Sequence, residues 1–374
     1  MTKEHTTKGR TANYLRAAAR RFAPAGIASI RELGAGNVND TFLVSTGSNL
    51  QSRFVLQRIN PRVFSSPELI TQNLRAFTGH VSKRLTQNPV SGRRWETPRV
   101  LLTGDSSDYW IDPAGSFWRA MSFIEDSKSF DTVLDAGHAT EVGFAIGLFH
   151  DLVSDLPADR LKDTLEGFHI TPLYLLRYDR VLAKSRVPSS TDMGFCMDFI
   201  DRRKAFAPVL ENAKADGMLP LRIIHGDPKV SNVMIDTRTG LAVSLVDLDT
   251  VKPGLVQYDM GDCLRSCCNP LGEDPGAPDR VRFEPELCQA LLQGYFSVAK
   301  GFLTQCDYEF IYDSIRLIAY ELGVRFFTDY LEGDVYFKVK DREHNLRRAL
   351  VQFRLTESIE SLEKTLRAII RDAK

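Results

Sequence analysis

A chain of 374 residues that is 43% hydrophobic is long enough for two lobes with filled cores. Its 48 basic and 48 acidic residues balance, so it lacks the basic excess that marks nucleic-acid binders. No stretch reaches the roughly 18 to 20 apolar residues that cross a bilayer, and the N-terminal MTKEHTTKGRTANYLRAAARRF has no apolar centre of a signal peptide. The six cysteines, at 196, 263, 267, 268, 288 and 306, form no CxxC pair and read as free thiols of a reducing compartment. A cytoplasmic protein with neither nucleic acid nor membrane as partner is expected.

In chain order, Asn13 to Phe22 reads as a surface helix. IRELG, DTFLVST and RFVLQRI then read as strands separated by the turn signals GAGN and GSNLQ. From Pro67 to Leu85 the apolar residues Leu69, Ile70, Leu74, Phe77, Val81 and Leu85 recur at helical spacing, with Ser65 or Ser66 as N-cap. RVLLT and SFWRAMSFI complete an antiparallel sheet. Beyond Glu125 helical patterns dominate: Ala139 to Leu156, Ser189 to Ala213 with a kink or break at Pro208, Glu284 to Ala299, Tyr308 to Tyr330 and Arg342 to Ala373. One strand-rich interruption, RIIHGDPKVSNVMIDTRTGLAVSLVDLDT at 222–250, stands among them.

That interruption carries acids at regular places. VMID and AVSLV, joined by TRTG, pair as antiparallel strands, which brings Asn232 beside Asp247 with Asp227 just upstream. An ordinary surface hairpin is the alternative. Mg²⁺ takes hard oxygen ligands, a few from protein and the rest from phosphate and water, and phosphoryl transfer needs a carboxylate to orient and deprotonate the attacking hydroxyl. Asn232 and Asp247 suit the first task and Asp227 the second.

HGDPKVSN matches the H-x-D-x-K-x-x-N catalytic loop of kinases, and LVDLD resembles the metal-binding element written DFG in protein kinases. The chain resembles the aminoglycoside-phosphotransferase and choline-kinase-like enzymes, small-molecule kinases with the protein-kinase fold. Within them HGDPKVSNVMID, VDLDTVKPGLVQYDMGD, FVLQRIN and ELGVRFFTDYLEGDVYFK are similar to the N-acetylhexosamine 1-kinases. The resemblance implies an α+β, two-lobed fold: a small N-terminal antiparallel sheet lobe at 1–121, a hinge at 122–126, and a larger, mainly helical lobe at 127–374. It implies ATP and Mg²⁺ as cofactors, Asp227 as base, Lys229 as a cation near the transferred phosphate, and Asn232 and Asp247 as metal ligands. Asp249 either assists them or stands behind them; His225 braces the loop, and Asp259 and Asp262 cap a helix and tether the metal loop. Gly226 stands where many protein kinases carry an arginine that receives a phosphorylated loop, which argues against protein substrates.

LGAGNVNDTFLV resembles the turn that covers ATP phosphates, through Gly34, Gly36, Asn37 and Asn39, though GAGN also suits any tight hairpin. The usual phosphate-gripping lysine is absent: FVLQR offers Gln57, without charge, and Arg58, on the opposite strand face. Its partner glutamate would be Glu68. The backbone from Phe123 to Glu125 is expected to bond adenine. For the acceptor, Arg325, Asp329 and Tyr330 in YELGVRFFTDY are the candidates, against the alternative of an intrahelical Glu321–Arg325 pair. The expected activity is phosphorylation of a small-molecule hydroxyl, the anomeric one of an N-acetylhexosamine. The alternatives are another acceptor (an aminoglycoside, choline or homoserine) and a catalytically silent nucleotide-binding regulator.

Overall fold

The computed structural model describes residues 13–24, 26–33, 38–47, 52–187, 190–275 and 278–374. Gly34, Gly36 and Asn37 of the expected phosphate turn lie outside them. The chain divides into two compact units, one of residues 1–79 and 97–125, the other of 80–96 and 126–374.

The first unit opens on helix α1, residues 13–22. Strands β1 (Ile27–Glu32), β2 (Asp40–Thr46) and β3 (Ser52–Ile59) follow, then helix α2 (Pro67–Gln87), whose last residues belong to the second unit. Strands β4 (Val100–Leu101), β5 (Trp110–Ile111) and β6 (Phe117–Ser122) close an antiparallel sheet in the order β1-β2-β3-β6-β4, with β5 also on β6. The period-2 pattern decides its faces. Val44, Phe54, Leu56, Trp118 and Ala120 pack with Ala18, Ala19 and Phe22 of α1. Gln57 and Arg119, opposite one another in register, belong to the other face. RVLLT is a strand only at Val100–Leu101, because the Thr103 amide and hydroxyl turn the chain back onto Ser107.

The second unit begins before the expected boundary for a chemical reason. His80 and Arg84 bond Asp155, Arg93 bonds Glu141, and the Glu96 amide donates to the Val243 carbonyl. Its helices are α3 (Ala136–Val153), α4 (Thr171–Leu182), α5 (Thr191–Asp201), α6 (Val209–Ala215), α7 (Val256–Cys267), α8 (Pro285–Ala299), α9 (Gln305–Glu309), α10 (Ile311–Glu332), α11 (His344–Ser361) and α12 (Glu363–Ala373). Helix α10 is buried almost all round and lies against α4, α7 and α11. Helices α3 and α8 meet at glycines, where a Cβ on Gly143 would stand 2.0 Å from the Leu291 carbonyl oxygen and one on Gly294 2.0 Å from that of Thr140.

Several long helices come out divided. The 189–213 pattern is α5 and α6, the expected break falling before Val209 with Pro208 as the α6 N-cap. The 342–373 pattern breaks at Leu362 and the 308–330 pattern at Phe310, while Gly333, at φ +89°, ends α10 in the left-handed cap that favours glycine. Helix α4 was not expected, and the helix expected to be capped by YDMGD is α7, which contains YDMGD instead. Strand content also exceeds one hairpin. Strands β9 (Val233–Asp236) and β10 (Ala242–Leu245) take on β7 (Ser127–Lys128), and β8 (Arg222–Ile224) pairs with β11 (Lys252–Gly254).

Candidate active site

The hairpin β9–β10 has the register its sequence requires. Val233 faces Leu245, and the Val246 amide donates to the Asn232 carbonyl at 2.9 Å, so Asn232 lies one residue from Asp247 across the pair. Asp247 itself sits at φ +61°, ψ +53°, a left-handed conformation that aspartate tolerates better than most residues, and its side chain is exposed. Asp249 is buried in the short turn that follows, where its carbonyl accepts from the Thr164 hydroxyl.

Asp227 gathers the polar groups. The Asn232 amide nitrogen donates to the Asp227 carbonyl at 2.7 Å and approaches its carboxylate at 3.3 Å. Lys229 pairs with the same carboxylate at 2.8 Å, both side chains about one-third exposed or less (31% and 28%). Burial works against a charge on Lys229, but Asp227, Asp247 and Glu273 outweigh it and its pKa is raised, so the ammonium is permanent at neutral pH. A carboxylate, a fixed cation and a carboxamide thus share one loop end, with a second carboxylate one residue beyond.

The backbone of this loop is pinned from beneath. Asp259, fully buried on α7, accepts from the amides of His225 (2.6 Å) and Gly226 (2.8 Å) and bonds His150, which in turn bonds the Tyr295 hydroxyl. His225 Nδ1 accepts from the Asp227 amide at 3.3 Å, which makes Nε2 the protonated nitrogen, and that N–H donates to the Val246 carbonyl at 3.0 Å. Burial pushes the His225 pKa down and keeps the ring neutral. Gly226 is at φ +86°, and a Cβ there would meet the Thr250 carbonyl oxygen at 2.7 Å. Glycine is therefore a steric requirement. Asp262 bonds Arg265 instead of the metal loop; its other carboxylate oxygen is buried without a hydrogen bond among the described residues.

The remaining candidates separate clearly. Gln57 accepts from Arg119 Nε (3.0 Å) and NH2 (2.7 Å) and donates to Thr41, so the charge that Gln57 lacks is present on the adjacent strand. A lone arginine in the apolar run FWRAMSF was the signal for it. Arg58 lies on the opposite face, paired with Asp40 and above the Trp118 ring at 5.8 Å. Asn39 accepts from the Asn60 amide, which braces the turn after β3. Arg53 covers the Phe123 ring at 4.7 Å and pairs with Glu125.

Glu321 does not pair with Arg325. Its carboxylate accepts from the Thr171 hydroxyl (2.7 Å) and lies 3.0 Å from His169, a residue the sequence reading missed. Arg325 instead sits against three rings, Phe168 at 5.0 Å, Tyr174 at 5.2 Å and Phe337 at 5.7 Å, and has no hydrogen-bond acceptor among the described residues. Asp329, expected to contact the acceptor, is filled otherwise: the amides of Val335, Tyr336 and Phe337 and the Asn345 side chain all donate to it at 2.8–3.0 Å. It builds the loop that carries Phe337. Tyr330 is buried, stacks on Phe327 and reaches Glu343. All six cysteines are free and none groups with His, Asp or Glu as a metal site among the described residues.

Residues 29–301 match the phosphotransferase enzyme family. The chain belongs to that family. Its fold is that of solved members: an aminoglycoside phosphotransferase from Alicyclobacillus acidocaldarius (TM-score 0.61, 17% identity, 95% of this chain and 96% of that one), a microcompartment-associated aminopropanol kinase (0.62, 15%, 95% and 98%), and a spectinomycin phosphotransferase solved with ADP and spectinomycin (0.57, 12%, 95% and 98%). Membership makes the chain a small-molecule kinase, an enzyme that phosphorylates hydroxyl groups. No described helix is long and apolar enough to cross a membrane.

Proposed function

We propose that this phosphotransferase uses ATP and Mg²⁺ to phosphorylate the anomeric hydroxyl of an N-acetylhexosamine. The observation that carries the reading is the convergence of Asp227, Lys229 and Asn232 at the end of one hairpin, with Asp247 adjoining. The donor set suits magnesium: the Asn232 amide nitrogen is engaged by Asp227, which leaves its oxygen as donor, and Asp247 offers an exposed carboxylate. Asn232 and Asp247 would hold the ion, with Asp249 behind them, and bound there it neutralises phosphate charge. Asp227 orients the acceptor hydroxyl and takes its proton, and Lys229 balances charge at the transferred group. Arg119, held by Gln57, is a cation on the sheet where the lysine is missing, so that absence no longer favours a silent regulator.

The aromatic seat of Arg325 supports a neutral acceptor. Its guanidinium offers donors to ring hydroxyls and an acetamido carbonyl, beside apolar ring surface for the methyl group. A cationic acceptor such as choline or an aminoglycoside would meet like charge there. The test is ADP release over a panel of N-acetylglucosamine, N-acetylgalactosamine, choline, homoserine and an aminoglycoside. Turnover is expected with the free hexosamines and not with their 1-O-methyl glycosides, whose nucleophile is masked. Arg325→Ala should raise KM for the sugar about tenfold or more while leaving that for ATP. Phosphate found on C6, or turnover of the methyl glycoside, would overturn the anomeric assignment; ADP release with no acceptor at all would overturn the whole reading.

A further inference from the structure

We propose that His169 is a positioning residue, an imidazolium that clamps the Gly226 carbonyl, and with it Asp227, to helix α10. Gly226 directly precedes Asp227, and His169 Nε2 lies 2.8 Å from the Gly226 carbonyl oxygen. The other ring nitrogen, Nδ1, lies 3.0 Å from a carboxylate oxygen of Glu321 on α10. Both neighbours are acceptors, so both ring nitrogens carry protons. A proton shared between Nδ1 and Glu321 rests on the imidazole, whose reference pKa exceeds that of a glutamate by about two units. The second Glu321 oxygen is already filled by the Thr171 hydroxyl.

The surroundings agree with a held cation. His169 is 3% exposed and its backbone stands at φ +67°, in the left-handed region that few non-glycine residues occupy. From α7, the Tyr258 ring stacks on it at 5.5 Å and Asp262 adds a second negative charge. From its own segment comes the Phe168 ring, 4.0 Å away; from α4 come Thr171, which bonds Glu321, and Tyr174. On α10, Arg325 is the other cation that faces Glu321. Burial opposes charge on the ring, but the Glu321 bond and the two carboxylates outweigh it, and the pKa is raised.

The clamp completes a grip from two sides. Asp259 holds the amides of His225 and Gly226, and His169 holds the Gly226 carbonyl. The peptide bond that enters Asp227 is thereby fixed in rotation, and misplacing a catalytic group by about 1 Å can cost on the order of 100-fold in rate.

The first measurement is independent of the kinase reading, on which only the kinetic arm rests. Ring ¹⁵N–¹H spectra of the full-length protein contain seven histidines, and His169 is the one lost in His169→Gln. Two ring N–H signals are expected for it at pH 7, and one in Glu321→Gln, where the amide donates to Nδ1 and a neutral ring still holds Gly226. In turnover, His169→Gln should lower kcat about 10- to 100-fold with KM for ATP little changed. Wild-type kcat should fall as the ring deprotonates at alkaline pH, a limb that Glu321→Gln abolishes. A single ring N–H on His169 at pH 7 would overturn the proposal, as would a His169→Gln enzyme with wild-type kcat and pH profile. If no acceptor is phosphorylated, the kinase reading fails and the spectra still decide the charge of the clamp.

Discussion

Asp227 draws its chemistry from neighbours at arm's length: Lys229 on its carboxylate, Asn232 on its carbonyl, His225 on its amide. Replacing it by asparagine keeps shape and most of these contacts while removing the proton acceptor. Steady-state kinetics of Asp227→Asn should show kcat reduced about 10²- to 10⁴-fold, the range of a general base, with KM for ATP nearly constant. Normal turnover would leave the loop without the role proposed for it. At this scale the sequence was legible where spacing alone fixes a neighbour, as for Asn232 and Asp247 across a four-residue hairpin. It was silent where a partner comes from far along the chain. His169 and Glu321 are 152 residues apart, and nothing local to either marks the contact. Asp329 misled for a similar reason: an acid beside an aromatic-rich helix reads as a ligand group until the amides of residues 335–337 are seen to fill it.

Among elements, the α3–α8 crossing holds the described glycines that leave the least room for a Cβ. A Cβ at Gly143 would meet backbone, which cannot swing aside as a side chain can. Alanine gains at most about 1 kcal/mol in helix propensity over glycine, whereas overpacking costs about 1–3 kcal/mol and more when backbone must move. Gly143→Ala should therefore lower the urea midpoint of unfolding, and an unchanged or higher midpoint would mean that the helices part at no cost. Long amphipathic patterns such as Pro67 to Leu85 were readable because one face repeats over several turns. Helix α4 and the span of α7 were not, since α7 buries polar Asp259, Asp262 and Arg265 beside its apolar residues and so breaks the binary pattern. Helix breaks at Phe310 and Leu362 carry no glycine or proline to announce them.

For the whole molecule, two buried histidines around one loop set opposite pH limits. His225 is kept neutral, with its pKa below the ordinary 6.5. As pH falls under that value the unfolded chain gains the proton first, and stability declines. His169 has its pKa raised above 6.5, so its contribution is complete below 6.5 and is lost as pH climbs through the raised value. Denaturant midpoints measured against pH should accordingly fall on both sides of a maximum near neutrality, and the acid decline should begin before the carboxylates titrate. A midpoint that stays level from pH 7 to pH 5 would contradict the neutral, buried state of His225.

Gly226 has one further consequence. In many protein kinases the matching position carries an arginine that receives a phosphorylated loop. Here any side chain would need the Thr250 carbonyl to retreat and would be strained at φ +86°, while the adjoining peptide is gripped by Asp259 and His169. A side chain of that length would meet Thr250 before it could reach a phosphate, so the loop that carries Asp227 keeps its shape only with glycine ahead of it.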